Sequence, residues 1–350
     1  MSPLGRPRLV DVADRAGVSL KTASRALNGE YGVAPETSKR VFAAARELGF
    51  RPNRLAQSLA GGRPSSAVGL LIPDVADPFV AGVVGAVERV VIDRDLQVIT
   101  ASHGNDSQRQ RRLTSALVER RVDALIVMTA PGPIDYLKPD LAHGLVVVAL
   151  DRPLDGLDVD TVTVDNEAGV RWAVERLLAV GHRRIAALAL DLRIWTVARR
   201  VDAYRSTLTD AGIPVDEALI STEHDVADTQ AALHQMLALD DPPTAVLATG
   251  HFVGHAAMYA MREAGTSLDL AVFDSMDDVD LLATSPLVLV ASDPDRLGQL
   301  AAKLAVERLA GLQAPPRQVI LDPLVSDRVD ESVSPGPVHP HIPEASHDQP

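Results

Sequence analysis

Between residues 67 and 273 the chain repeats one pattern, and that pattern leaves few folds open. Short runs rich in Val, Ile and Leu at 67–72, 97–101, 124–128 and 145–150 have the character of strands buried on both faces of a parallel sheet. Helical stretches near 80–94, 106–120 and 134–142 separate them. A second series follows, with strands near 161–164, 185–190, 245–249 and 270–273 and helices near 167–180, 197–211, 229–239 and 255–264. Strand and helix in alternation make an α/β protein with two lobes of doubly wound parallel sheet. In such sheets ligands bind at the carboxyl ends of the strands. A ligand held between two lobes favours the closed pair, and closure can be transmitted to whatever is attached.

The strand ends therefore supply the candidate ligand residues. Asp77 and Phe79 follow the first strand and Asp151 the fourth; Trp195 and Arg200 open the helix after 185–190, and Asp274 follows 270–273. Carboxylates and a guanidinium that accept and donate in pairs, beside an aromatic face, suit a polyhydroxyl ligand such as a sugar.

The run Gly61-Gly62-Arg63-Pro64-Ser65-Ser66 is the clearest linker in the chain. Ahead of it lie three short helical patterns. Gly17 allows a tight turn after the first, and Ser19 is placed as the N-cap of the second. From Leu20 onward, Ala23, Ala26 and Leu27 share one face, which turns Lys21, Thr22, Ser24, Arg25 and Asn28 largely to the other. A short helix of this kind suits a major groove, where Arg forms two bonds to guanine and Lys reaches guanine or phosphate. A third helix starts near Pro35 and Glu36 and ends at Gly49. The formal net charge of −13 opposes a nucleic-acid partner only as a sum. Residues 1–65 carry 11 Lys and Arg against 5 Asp and Glu, whereas the remainder carries 23 against 42. A basic head on an acidic body is the distribution expected of a DNA-binding domain joined to a sensor.

The stretches DVADRAGVSLKTASRALN and FRPNRLAQSLA, in this order and at this distance, resemble the DNA-binding head of the LacI/GalR family of bacterial transcription regulators. The resemblance continues more weakly to about residue 328. It implies that Leu20, Lys21 and Arg25 reach base edges, while Ser19, Thr22, Ser24 and Asn28 mostly hold phosphates. It also implies a hinge helix in which Leu59 wedges between base pairs and kinks the duplex, with Asn53 and Ala56 beside it. An isolated helix of about ten residues is marginal in water, so such a hinge orders when DNA and a second copy meet it. In the family, positions matching Phe79, Asp151, Arg200 and Asp274 line the effector pocket.

The expected organisation is a helix-turn-helix head at 1–49, a hinge and linker at 50–66 and a two-lobed core at 67–330 like a periplasmic sugar-binding protein. Its first lobe is expected at about 67–160 plus 291–318 and its second at about 161–290 plus 319–330, with a disordered tail at 331–350. The expected function is a DNA-binding repressor, a homodimer on a near-palindromic operator, with a sugar or sugar derivative as effector. The competing reading is a cytoplasmic solute-binding or enzymatic α/β protein with a helical appendage; the basic head favours the regulator. This chain departs from the family in its pocket. Thr249-Gly250-His251 stands where Ala-Asn-Asp is usual, Arg200-Val201-Asp202-Ala203-Tyr204 where Arg-x-x-Gly-aromatic is usual, and Val272-Phe273-Asp274-Ser275 replaces Gly-Phe-Asp-Asp.

Other chemistries find little support. With no cysteines there are no disulfides or thiolate sites. No run of 18 apolar residues and no signal peptide is evident, so a cytoplasmic, membrane-free location is expected. His251 and His255 are spaced for a metal but lack a third ligand, and the acidic run 274–280 lacks the glycine and terminal Glu of a calcium loop. No nucleophile elbow, P-loop or dinucleotide fingerprint occurs, so neither catalysis nor a cofactor is expected. No heptads follow the core, which leaves a dimer as the expected assembly.

Overall fold

The structure is a computed structural model, and it describes residues 7–50, 67–223, 225–274 and 287–327. The chain divides into two compact units, 1–66 and 67–350.

The head contains α1 (Leu9–Ala16), α2 (Leu20–Leu27) and α3 (Pro35–Leu48). Gly17 ends α1 and Gly49 ends α3, both at φ 65°, a left-handed conformation that glycine adopts without a Cβ penalty. The small core of Val12, Ala13, Ala16, Ala23, Ala26, Val41, Ala44 and Ala45 is made almost wholly of alanine and valine. Side chains this short let three helices approach closely, which is how fewer than 50 residues enclose an interior.

The second unit begins with β1 (Ala67–Ile72), α4 (Pro78–Ile92), β2 (Gln97–Ser102), α5 (Ser107–Glu119), β3 (Ala124–Val127), α6 (Lys138–Ala142), β4 (Val146–Leu150) and β5 (Asp160–Val164). It continues with α7 (Asn166–Ala179), β6 (Ile185–Ala189), α8 (Trp195–Asp210), β7 (Ile220–Thr222), α9 (Val226–Leu237), β8 (Ala245–Ala248), α10 (His251–Glu263) and β9 (Asp269–Phe273). It ends with β10 (Leu287–Ala291), α11 (Pro294–Leu309), β11 (Gln318–Leu321) and β12 (Leu324–Asp327). Two six-stranded sheets result, ordered β11-β5-β4-β3-β1-β2 and β12-β10-β9-β8-β6-β7. Every pairing is parallel except β10 with β12. Strands β1, β3, β5 and β6 are buried along their whole length, as their largely apolar or β-branched runs require, with Asp160 the charged exception at the start of β5. In each sheet the strand order reverses at one point, between β1 and β3 and between β6 and β8. The crevice at the carboxyl ends of those strands is where such folds take ligands.

The chain crosses between the sheets three times, and here the structure differs from the sequence reading. The run 161–164, expected to open the second lobe, is β5 of the first sheet, and β11, expected to fall largely outside the first lobe, pairs with it. β10, in contrast, joins the second sheet, as the expected bounds of that lobe at about 161–290 had it. Asp160 gives the physical reason: buried at the start of β5, it accepts from Arg308 Nε at 2.7 Å and from the Arg317 backbone N–H at 2.7 Å. One carboxylate thus binds the end of α11 and the approach to β11 to the first sheet, while a buried strand pattern carries no mark of the sheet it joins. The helix α11 packs on α4 so closely that a Cβ on Gly298 would stand 2.6 Å from the Val83 carbonyl oxygen.

Candidate functional site

In the head, the side chain of Ser19 accepts from the Thr22 backbone N–H at 3.1 Å, and the two hydroxyls meet at 2.8 Å. This cap starts α2 at Leu20, which is 52% exposed. Lys21 and Asn28 are exposed with it, whereas Thr22, Ser24 and Arg25 are half-buried. Arg25 folds back on the turn after α2, where Nη2 donates to the Tyr31 carbonyl and Nε lies 3.5 Å from Glu30. Asn28 donates to Glu30 at 3.2 Å. The same short acidic turn therefore restrains two residues of the expected reading face. The hinge residues Asn53, Ala56 and Leu59 lie outside the described residues.

In the core, the second lobe builds its half of the cleft around Arg200. The guanidinium is buried (6% exposed), lies 3.6 Å over the Phe273 ring centroid, and donates to Asn166 Oδ1 and the Thr249 carbonyl, both at 2.7 Å. It donates also to Asp274 Oδ2 at 2.9 Å, whose other oxygen accepts from Ser292 at 3.1 Å. Three segments are thereby fixed to one side chain, and a fourth, at Ser292, is tied in through Asp274. Asp274 sits at φ 72°, and Asp151, its counterpart at the end of β4, at φ 65°. Left-handed backbone at a non-glycine residue is tolerated best by Asn and Asp, and it turns the chain sharply as it leaves the strand.

The first lobe contributes Asp77, Asp151 and Arg152. Asp77 caps α4, accepting from the N–H groups of Phe79 and Val80 at 2.9 and 3.4 Å. Burial pushes its carboxyl up from the usual value; the N–H groups of Val80 and Phe79 and the charge of His251 oppose this, and Asp274 adds to it. Asp151 is 6% exposed, and burial raises it too, against the attraction of Arg152 and Arg200. Charges on Arg200 and Asp274 in one lobe and on Asp77 and Asp151 in the other thus act on one another across the cleft. Arg152 Nε lies 3.4 Å from Asp151, while Nη1 donates to Asn105 Oδ1 at 2.8 Å and to the Thr129 carbonyl at 2.9 Å. Burial lowers its pKa, as expected for a guanidinium removed from water.

Behind these residues a buried polar layer holds the 129–135 loop. The His103 ring contacts the Met128 carbonyl at 2.8 Å through Nε2 and accepts from the Asn105 N–H at 3.1 Å through Nδ1. Gln110 donates to Tyr136 at 2.8 Å and accepts from the Ala130 N–H at 2.5 Å. A cavity of about 150 Å³ lies against this loop, also lined by Arg152, Pro153 and Asp155 of the first lobe and Arg193, Ile194 and Trp195 of the second.

Of the six residues chosen from strand ends, Asp77, Asp151, Arg200 and Asp274 form one electrostatic cluster and Trp195 lines the adjoining cavity. Phe79 is different, since its side chain packs on the first-lobe core. Sequence reasoning missed Arg152 and Asn166, and named Thr249 only as a departure from the family's pocket. Asn166 carried a signal, a polar residue just after a buried strand; it donates to the Val164 carbonyl at 3.0 Å and orients Arg200. Thr249 Oγ1 and His251 Nδ1 are buried without a hydrogen-bond partner. The His251 and His255 rings meet edge to face at 4.7 Å, and among the described residues no group of three or more His, Cys, Asp or Glu is placed to hold a metal. Among the described residues no helix is long and apolar enough to cross a membrane.

A Ser-capped helix-turn-helix ahead of a two-lobed core, with charged groups facing across its cleft, defines a DNA-binding transcriptional regulator of the ligand-responsive class. The particular lineage follows from two matches. Residues 65–319 match the periplasmic binding proteins and sugar binding domain of LacI family, and residues 8–53 match the bacterial regulatory proteins of the lacI family, so the chain belongs to the LacI family. It is 32% identical to the HTH-type transcriptional regulator CelR of Thermobifida fusca over 330 residues, 91% of this chain and 96% of that protein. A solved CelR–cellobiose complex is 29% identical with a TM-score of 0.66, covering 92% of this chain and 98% of the other. The lac repressor dimer bound to operator and the anti-inducer ONPF is 25% identical with a TM-score of 0.75, covering 93% and 99%.

Proposed function

We propose that this protein is a repressor that binds a near-palindromic operator as a homodimer in the cytoplasm, and that a sugar or sugar derivative in the interlobe cleft changes its DNA affinity. Its role is regulatory and not catalytic, in keeping with relatives that are transcriptional regulators. The observation that carries the reading is the cleft itself. Paired carboxylates and guanidiniums from both lobes converge on it, and beside them Thr249 Oγ1 and His251 Nδ1 are buried with no partner in the protein. Buried polar atoms are ordinarily satisfied, so these stand where ligand hydroxyls or water complete them. In the head, Leu20, Lys21 and Arg25 read bases and Ser19, Thr22, Ser24 and Asn28 hold phosphates. Beyond it, Asn53, Ala56 and Leu59 act in the minor groove. Cellobiose in the CelR complex and operator DNA on the lac repressor dimer support a sugar effector and a dimeric DNA complex.

The test is to select bound DNA from a random pool with the full-length protein, then titrate sugars into the complex. A two-fold related consensus released by one sugar is expected. A protein that enriches no sequence contradicts the regulator; enrichment with no response to any sugar or sugar derivative contradicts the effector assignment alone.

A further inference from the structure

The structure points to a cleft of two compartments, and we propose that its effector is a disaccharide whose second ring lies against Trp195. The proposal rests on the sugar reading above and specifies the length of the ligand.

The cavity beside Trp195 has a volume of about 150 Å³. Sites for whole small-molecule ligands usually enclose about 300–1,000 Å³, so this space takes one ring and not an entire larger ligand. Neither Arg200 nor Asp274, nor Asp77, Asp151, Thr249 or His251, lines it. Yet those residues form a charged cluster of their own, and the unpartnered Thr249 hydroxyl, in a residue 2% exposed, belongs with them. A cavity and a separate polar cluster are therefore present, and Arg152 belongs to both. It lines the cavity and pairs with Asp151 at 3.4 Å, while Asn105 and the Thr129 carbonyl anchor its Nη1. Its buried Nε has the ion pair with Asp151 and no well-formed hydrogen bond.

The two zones differ in chemistry as the two ends of a disaccharide site should. The inner one offers carboxylates and a guanidinium, which bind vicinal hydroxyls in pairs. The outer one offers an indole, a large rigid surface with an apolar face suited to the C–H face of a pyranose. Trp195 is the first residue of α8 and Arg200 lies five residues on in the same helix, about 7.5 Å along its axis. Trp195 is held in place by Arg199, whose guanidinium carbon lies 5.6 Å from the ring centroid. On this view Trp195 is a specificity-determining residue that selects two rings over one.

Fluorescence provides the test, because the chain has only two tryptophans, Trp172 and Trp195. The full-length protein and its Trp195→Ala and Trp195→Phe variants are titrated with glucose, galactose, cellobiose, maltose and lactose, binding being read by calorimetry and by intrinsic fluorescence. A disaccharide is expected to bind at least tenfold more tightly than its own monosaccharide. Trp195→Ala should abolish that ratio while leaving monosaccharide binding within about twofold, and Trp195→Phe should keep most of it. Equal affinity for both lengths, or equal loss of both in Trp195→Ala with unfolding curves unchanged, overturns the two-compartment cleft and leaves the sugar reading standing. Binding of no sugar, in a protein that still selects DNA, overturns both.

Discussion

Arg200 donates to Asp274 at 2.9 Å while its guanidinium plane lies over Phe273, so the residue that carries the cleft's carboxylate is held directly after the residue that carries the stacked ring. The pair is largely withdrawn from water, with side chains 7% and 17% exposed. Breaking such a pair by truncating one partner leaves a buried charge alone and costs about 3–5 kcal/mol. Arg200→Ala is expected to lower the unfolding midpoint measurably. Arg200→Lys keeps the charge but cannot donate in three directions from a planar fork. It should fold, bind operator, and lose release by effector, as read by DNA titration with and without sugar.

The turn after α2 engages Arg25, the residue proposed to read a base. Glu30 lies 3.5 Å from its Nε, and Nη2 is occupied by the Tyr31 carbonyl. Arg25→Ala should cost about 1–3 kcal/mol on the cognate site and relax preference at one base position. Glu30→Gln should act in the other direction. An exposed ion pair is worth about 0–1 kcal/mol, so affinity should rise by up to about fivefold. Titrations at fixed salt on cognate and random DNA check both, and equal loss on all DNA by Arg25→Ala would show that the residue holds phosphate and reads no base.

His103 makes the first lobe sensitive to acid. Burial pushes its imidazole from 6.5 down to about 4, against the Met128 carbonyl and with Arg152 and Arg109 adding to the fall. Between those two pH values the unfolded chain holds the additional proton, so stability rises with pH from about 4 to 6.5 and is level above it. A separation of this size corresponds to about 3 kcal/mol. Asp77 and Asp151, raised by burial, work with the opposite sign, since their contribution is lost as pH rises. Urea unfolding of the wild-type protein and of His103→Gln between pH 4.5 and 7 separates the two. The wild-type slope should flatten in the variant; parallel profiles would remove His103 as its cause.

The sequence was readable where one residue type has one use. Gly17, Ser19 and Gly49 set the head's turns and cap at the expected positions. The unbroken apolar strands located most of both sheets within a residue or two, and the strand ends led to Arg200, Asp274, Asp151 and Asp77. What was not readable depends on long-range pairing. Nothing in the run at 160–164 says that Asp160 will accept from Arg308, so the lobe boundary was misplaced. Phe79, chosen as a cleft aromatic, is half-buried and packs on the first-lobe core. Arg152 was passed over because its meaning comes from Asn105 and Thr129, distant in sequence and adjacent only in the fold.

The late return of the chain to the first lobe rests on a glycine, and that gives a further expectation. Gly298 stands on α11 where it crosses α4, and a Cβ there would meet the Val83 carbonyl oxygen at 2.6 Å and Ala86 Cβ at 2.7 Å. Neither neighbour is the end of a flexible side chain, so an added methyl group must push the helices apart. The loss from overfilling a packed interior is about 1–3 kcal/mol, and the helix propensity of alanine returns at most about 1 kcal/mol of it. Gly298→Ala should therefore destabilise the core, while Gly85→Ala on α4, whose Cβ would meet only the end of Arg89 at 3.5 Å, should be neutral or slightly stabilising. Thermal unfolding of the two full-length variants makes the comparison. Equal midpoints would show that the contact between α4 and α11 is looser than 2.6 Å implies, and that the first lobe can take up the displacement.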